Sequence, residues 1–242
     1  MKQFSRADIE AIAKRILKIY SSLPELSDRP IRKIDPERLA TQVLQLKLDY
    51  AHLSLDGTTL GLTSFDEVGI EVFDQTDEAV FYLMDGHTIL IEEGLNRDCS
   101  CVGRRNFTIA HEAAHQIFKM LYPNAYGMPN KSKKPIHFYR PISEANSFTR
   151  IKDWEEWQAN TLASALLMPE RIVKEGMFLF GLGEKINILN PLYRKEVFSR
   201  FRCLAEFLGV SQQALSIRMK HLGLLDREYL SHPTAFLDIY KE

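Results

Sequence analysis

The chain has 242 residues, of which 45% are hydrophobic, and these values predict a globular protein with a substantial core in one large domain or two small ones. Its formal net charge of −1 at pH 7 excludes a global attraction to nucleic acid or to an anionic membrane surface. No apolar run approaches the length of a membrane span, and the N-terminal segment MKQFSRADIE lacks the apolar core of a signal peptide, so we expect a cytoplasmic protein.

Two helices are predicted near the N-terminus. Residues 7–20, ADIEAIAKRILKIY, place apolar side chains at helical intervals, with Lys and Arg on the other side. Pro24 and Pro30 mark a connector that extends to residue 34. Asp35 is a suitable N-cap for a second helix, which has Pro36 at its first position.

A change to a period of two predicts a small sheet between residues 46 and 92. Asp56-Gly57 and Asp85-Gly86 each stand between alternating apolar runs, a pattern typical of β-hairpins with tight turns. The segment VGIEVF between them adds a strand. We therefore expect a mainly antiparallel sheet of about four or five strands.

The three cysteines, Cys99, Cys101 and Cys203, cannot all pair and do not form a secreted disulfide framework. Cys99 and Cys101 stand closer together than the cysteines of a CxxC zinc knuckle. We interpret these two as ordinary thiols in a loop.

Residues 107–121, FTIAHEAAHQIFKML, carry a strong chemical signal, the pentapeptide HEAAH. On a helix, His111 and His115 project from nearly one face, one turn apart, with Glu112 beside them. Two neutral imidazoles can bind Zn²⁺, and the adjacent carboxylate can remove a proton from a water molecule that the metal activates. The flanking residues are apolar at helical spacing, so a buried helix is expected. The alternative is a pair of core histidines satisfied by backbone carbonyls.

The segment from residue 122 to 150 is rich in Pro, Asn, Ser and Lys and has no clear period, which predicts a long loop. Tyr126, His137 and Tyr139 lie in it, either as substrate contacts or as incidental residues of a solvated loop. In zincin-type enzymes an edge strand above the metal holds the substrate backbone by strand addition. Our candidate for that edge is ILIEE, residues 89–93.

Residues 153–168, DWEEWQANTLASALLM, predict a helix that ends at Pro169. The helix has a stripe of small residues that would let it approach the HEAAH helix closely. Glu156 lies on that stripe and is the candidate third zinc ligand. Asn160, one turn later, would accept a hydrogen bond from a ligating histidine and so fix its tautomer. The alternative is an amphipathic helix with Glu156 exposed to solvent.

Residues 200–225 have the spacing of a helix-turn-helix, with Gly209 in the turn and Ser211 as the N-cap of the second helix. A few basic residues could contact phosphate, namely Arg218, Lys220 and His221. No sustained basic stripe accompanies them. We therefore prefer a helical pair that packs on the catalytic domain, or docks a protein partner, over a unit that reads DNA.

The combination RRNFTIAHEAAHQIF followed by EWQANTLASALLMPE resembles the ImmA/IrrE zinc metallopeptidases, whose hallmark is an HExxH helix followed by an ExxAN helix ending in a Leu-Leu-Met-Pro run. The tail CLAEFLGVSQQALSIRMKHLGLL is also similar to that family, so the resemblance spans residues 35–225. It implies that the metal ligands match His111, His115 and Glu156. It also implies that Glu112 matches the catalytic glutamate and Asn160 the asparagine that supports a ligand. Family members with known roles cleave a helix-turn-helix repressor in stress responses or mobile-element control.

These observations predict an α+β, zincin-like metallopeptidase whose partner is a protein substrate of the repressor type. The predicted organisation is an N-terminal helix and connector over 1–34, a metallopeptidase domain over 35–190 and a C-terminal helical segment over 191–242 packed on it. Two alternatives remain: a DNA-binding or partner-binding regulator with a structural or sensory zinc site, and a hydrolase that acts on something other than protein. Glu112 favours catalysis over the first, because a structural zinc site needs the two histidines but not the carboxylate between them.

Overall fold

The computed structural model describes residues 3–26, 30–123, 136–139 and 151–235, except for the side chains of residues 99, 136–139 and 151–153. Helices and small sheets alternate along the chain, which confirms the predicted α+β class. The helices are α1 Arg6–Ser21, α2 Pro36–Arg38 with a π-helical continuation Leu39–Val43, α3 Gly94–Arg97, α4 Val102–Leu121, α5 Ile151–Leu167, α6 Glu170–Leu179, α7 Lys195–Leu208 and α8 Gln212–His221; Pro24–Leu26 and Cys99–Cys101 are short 3₁₀ turns. The strands are β1 Lys47–Ala51, β2 Gly61–Ser64, β3 Glu67–Phe73, β4 Ala79–Asp85, β5 Thr88–Glu92, β6 Ile136–Tyr139, β7 Ile186–Leu189 and β8 Leu225–Glu228.

Both predicted N-terminal helices are present. Helix α1 begins at a capping box in which the Ser5 hydroxyl accepts from the Asp8 N–H and the Asp8 carboxylate accepts from the Ser5 N–H. Its apolar stripe is buried and packs on α5. Asp35 caps α2 as expected, because its Oδ1 accepts hydrogen bonds from the Glu37 and Arg38 N–H groups.

The main sheet has four strands in the order β1-β5-β2-β6. Strand β5 is parallel to β1 and antiparallel to β2, and β6 is antiparallel to β2. The predicted hairpin at Asp56-Gly57 is therefore wrong, since β1 and β2 lie on either side of β5 instead of pairing with each other. Gly57 does have a left-handed backbone, with φ +64°, so the chain turns there. The reason is that β5 is buried along its whole length and needs a neighbour on each side.

Strands β3 and β4 form a separate antiparallel ribbon, with Glu67 opposite Asp85 at one end and Phe73 opposite Ala79 at the other. The predicted hairpin at Asp85-Gly86 is wrong as well, because β4 pairs with β3 while β5 enters the main sheet. The candidate edge strand ILIEE is also wrong, since it lies inside the sheet. Within the described chain the edges are β1 and β6, and β6 falls in the segment predicted to be a loop.

The two faces of the main sheet have different neighbours. Helix α4 packs on one face, where Gly61 and Thr63 of β2 contact it. The ribbon covers the opposite face, where Leu62 and Leu90 form a buried cluster with the inner side chains of β3 and β4. The alternation along β2 follows from the two-residue period of a strand, and it places the HEAAH helix and the ribbon on opposite sides of one sheet.

The C-terminal helix-turn-helix is present as predicted, with Gly209 left-handed at φ +68° and Ser211 capping α8. It packs on the rest of the protein. Asn106 near the start of α4 donates a hydrogen bond to the Gly209 carbonyl at 2.8 Å. Arg218 on α8 is only 3% exposed, donates to the Met168 carbonyl at 2.9 Å and forms an ion pair with Glu10 of α1. Strand β7, before α7, pairs in parallel with β8, after α8, and this pair was not predicted.

One large hydrophobic cluster includes buried residues of α1, α4, α5, α7 and α8. The division into segments 1–34, 35–190 and 191–242 stays a prediction. Among the described residues, no helix combines the length and the apolar character that crossing a membrane would require.

Candidate metal centre

Helix α4 carries the HEAAH sequence through the middle of the protein. Apolar residues surround the motif on nearly every side of the helix, so the whole segment from Thr108 to Phe118 is buried. His111, Glu112 and His115 each have 0% exposure. Burial of three ionisable side chains on one helix is costly unless they have partners or bind a cation.

Helix α5 supplies the third group. Buried alanines line both helices, including Ala110 and Ala114 in α4 and Ala159 in α5, and the two helices pack directly against each other. This close packing brings Glu156 to the histidines. Its Oε2 lies 3.2 Å from His111 Nε2, and its Oε1 lies 3.8 Å from His115 Nε2.

The three side chains fit a zinc ion. His111 Nε2 and His115 Nε2 are 3.1 Å apart, and one ligand atom from each of the three residues lies within 4.8 Å of the others. Ligand atoms at about 2.0–2.1 Å from a tetrahedral centre lie roughly 3.3–3.4 Å apart, close to the separations seen here. Two imidazoles and one carboxylate are also a donor set that zinc prefers, and three protein ligands leave a fourth position open.

Asn160 lies where the sequence places it, one turn after Glu156. Its Oδ1 is 3.0 Å from His111 Nδ1. Because an amide oxygen can only accept, Nδ1 carries the proton, and the lone pair of Nε2 faces His115 and Glu156. The structure thus brings together His111, His115, Glu156 and Asn160, all four on α4 and α5.

Glu112 points to the sheet side of α4. Among the described residues, neither carboxylate oxygen has a hydrogen-bond partner, although both are buried. Burial raises the pKa of Glu112 well above its usual value, and the negative charge of Glu156 raises it further. A buried carboxylate with no donor nearby is available to bind a proton from a water molecule.

Two residues that sequence analysis missed hold strand β2 against this part of α4. A Cβ atom at Gly61 would lie 2.5 Å from Thr108 Cγ2 and 3.0 Å from Glu112 Oε1, so only glycine fits without displacement. Gln116 Nε2 donates to Thr63 Oγ1 at 2.6 Å and to the Ser64 carbonyl at 2.7 Å. Gln116 directly follows His115 in the sequence, but its role cannot be predicted from the sequence because it depends on which strand packs against this part of α4.

Several other candidates lie away from the centre or outside the described part. Tyr126 is outside the described residues, and His137 and Tyr139 are described only as backbone in β6. Cys101 and Cys203 are free thiols. Two of the three basic residues of α8 form ion pairs within the protein, since Arg218 contacts Glu10 and Lys220 contacts Glu228 at 3.1 Å.

Comparison with known proteins identifies the family. A search of curated proteins finds no match to the chain. The family model described as Peptidase_M78, IrrE N-terminal-like domain, matches residues 65–220, which include the whole of α4 and α5 and most of α8. A match to this family supports a zinc metallopeptidase-type function with protein as substrate. Since the match covers more than half of the chain, the resemblance found in the sequence is confirmed: the chain belongs to the ImmA/IrrE family of metallopeptidases, represented by the IrrE N-terminal-like domain.

Proposed function

We propose that the protein is a cytoplasmic, zinc-dependent endopeptidase that cleaves a helix-turn-helix transcriptional repressor in a stress-response or mobile-element circuit. The observation that carries the proposal is the convergence of His111, His115 and Glu156 beside the buried carboxylate of Glu112. The family match supports the reaction class, and the resemblance noted above supports the substrate.

His111, His115 and Glu156 would hold the zinc, and Asn160 would keep His111 in the tautomer that leaves Nε2 free to bind. When bound, zinc would act as a Lewis acid that polarises the scissile carbonyl and lowers the pKa of water.

Glu112 acts as the general base and then the general acid. Its carboxylate removes a proton from the attacking water, and the protonated carboxyl passes that proton to the leaving amine. Burial favours the protonated form of Glu112, whereas a zinc ion held by the neighbouring residues would favour its carboxylate. The side chain is rotated about 100° from His111 around the helix, so it can reach the water without occupying a ligand position.

The test replaces Glu112 with Gln, which keeps the size of the side chain and removes the base. The zinc-loaded variant should bind the repressor encoded by a neighbouring gene yet cleave it at least about 10²-fold more slowly than the wild type. Gel electrophoresis with mass spectrometry of the products measures the cleavage, and metal analysis shows whether zinc is retained. Full cleavage by Glu112→Gln would refute the proposed base.

The competing proposal is a DNA-binding or partner-binding regulator with a structural or sensory zinc site. The burial of Arg218 argues against DNA recognition by α8, because the guanidinium that would contact phosphate is bonded inside the protein. We expect no tight, sequence-dependent shift of DNA in a gel at physiological salt. Tight binding, together with a wild-type protein that leaves every neighbouring-gene repressor intact, would favour the regulator.

A further inference from the structure

The ribbon formed by β3 and β4 has one buried and one exposed face. Ile70, Val72 and Met84 point towards the main sheet and are at most 7% exposed. The pairing register places the alternate residues on the outer face, where Glu71 lies opposite Phe81 and Gly69 lies opposite Leu83. This outer face is on the far side of the sheet from α4, so it is remote from the metal ligands.

Two large apolar side chains are exposed on the outer face. Phe81 is 75% exposed and Leu83 is 64% exposed. They stand two residues apart on β4, hence about 7 Å from each other along the strand. The Phe81 ring lies over Gly69, because a Cβ atom at Gly69 would lie only 2.0 Å from its Cζ. An aromatic side chain has only two χ angles, so it provides a large contact area at a low cost in conformational entropy.

Carboxylates flank these side chains on the same face. Glu67 and Glu71 are exposed, and in the described part of the chain neither forms an ion pair. A second copy of the chain, docked through the same face, would bring like charges together, and an anionic membrane would be repelled. The chemistry that complements the face is an apolar side chain next to Lys or Arg.

We propose that this acidic–apolar ribbon face, formed by Glu67, Gly69, Glu71, Phe81 and Leu83, is a docking site for a basic segment of the protein substrate that presents an apolar side chain among its cations. The proposal rests on the proposed peptidase function. Phe81 and Leu83 enter the partner's apolar contacts, and Glu67 and Glu71 pair with its cations. Because the face is remote from the ligands, it binds substrate without taking part in bond cleavage.

Binding is tested with two fluorescent helical peptides, one built of Lys and Leu and its twin in which every Lys is Glu. The protein carries Glu112→Gln so that no peptide is cleaved, and fluorescence anisotropy measures the Kd at physiological salt. We expect the Lys peptide to bind and the Glu peptide not to bind. Phe81→Ser with Leu83→Ser should weaken binding of the Lys peptide at least about tenfold, close to the effect of losing one or two interface anchors.

Charge reversal and a matched surface change complete the experiment. Glu67→Lys with Glu71→Lys, which leaves the apolar residues in place, should abolish binding of the Lys peptide and create binding of the Glu peptide. Phe178→Ser, at a side chain 88% exposed on α6, should change neither. Equal binding of the two peptides, or an equal loss with Phe178→Ser, would overturn the proposal. The proposal would also be overturned if analytical sedimentation showed a dimer of the wild type that became monomeric with Phe81→Ser and Leu83→Ser.

The cleavage assay separates this proposal from the proposed function. With an active protein and its cleavable repressor, the ribbon variants should raise KM and leave kcat unchanged. Unchanged KM would reject the docking site while the peptidase stands. A wild type that cleaves no repressor would reject the peptidase, whereas the peptide-binding results would still decide whether the face selects a basic partner.

Discussion

Gly61→Ala tests whether strand β2 positions the carboxylate of Glu112, the proposed general base. The added Cβ would lie 2.5 Å from Thr108 Cγ2 and 3.0 Å from both Cγ and Oε1 of Glu112. Thr108 cannot rotate away freely, because its hydroxyl donates to the Arg104 carbonyl at 2.9 Å. Strand β2 cannot recede either, since Gln116 binds it and strands pair on both sides of it. Glu112 must therefore move.

The contact with Thr108 should mainly affect stability, and the contact with Glu112 should mainly affect the rate of cleavage. Overpacking a well-filled core costs about 1–3 kcal/mol, and most of that cost falls on the short contact with Thr108. The contact with Glu112 requires a shift of only a few tenths of an ångström. A misplacement of about 1 Å can lower the rate 10²-fold. The smaller shift of Glu112 should therefore lower kcat about tenfold, with little change in KM. Zinc content should be unchanged.

Thr108→Ser provides the matched control. It removes Cγ2, keeps the hydroxyl and alone should cost about 1 kcal/mol, the value of one buried methyl group. In the double variant it should restore the stability lost in Gly61→Ala, measured by urea unfolding, but leave kcat low. The visible spectrum of the cobalt-substituted protein should change with Gly61→Ala towards that of Glu112→Gln and should not change with Thr108→Ser. Recovery of kcat together with stability would refute a positioning role.

Four further outcomes follow from the structure. Replacement of His115 with Ala should remove most of the zinc detected by atomic absorption, and full retention would reject the ligand assignment. Arg218→Ala should cost about 3 kcal/mol in urea unfolding, because it breaks a buried ion pair, while Arg202→Ala on the surface of α7 should cost less than about 1 kcal/mol. Burial and a hydrogen bond to Asp49 at 2.9 Å raise the pKa of Tyr82 to about 12, which ¹³C NMR of its Cζ can measure. In the unfolded chain Tyr82 loses its proton near pH 10. The stabilisation linked to its raised pKa should therefore be complete below about pH 10 and disappear as the pH rises through about 12.

The local features of the fold were predictable where one helix or one turn determines them. The helical period, the Asp35 cap and the Gly209 turn depend on neighbours in sequence, and each was predicted correctly. Both Asp-Gly turns have the expected left-handed glycine, with φ +64° at Gly57 and +76° at Gly86. The pairing around them was wrong, because a turn fixes where the chain reverses and not which strand it joins.

The composition of β5 could have corrected one error. Its residues TILIE do not alternate and are all buried, a pattern typical of an internal strand with a layer on each face. The candidate metal ligands were easier to find, because helical spacing alone predicts which side chains of α4 and α5 share a face, and the structure brings His111, His115 and Glu156 together. Gly61 and Gln116 could not be found, since their roles depend on a contact between a strand and a helix that no local pattern encodes.

The bonds of Arg218 connect α8 and α1, from the C-terminal and N-terminal segments, to the end of α5. Arg218 lies on α8, Glu10 lies on α1, and the Met168 carbonyl follows the last turn of α5, the helix that carries Glu156. Both flanking segments thus hold the far end of the helix that carries the candidate third ligand. A fragment trimmed to residues 35–190 would lose the donor to Met168 and expose to water the part of α5 that packs on α1. Designs for a minimal peptidase should therefore keep both α1 and α8.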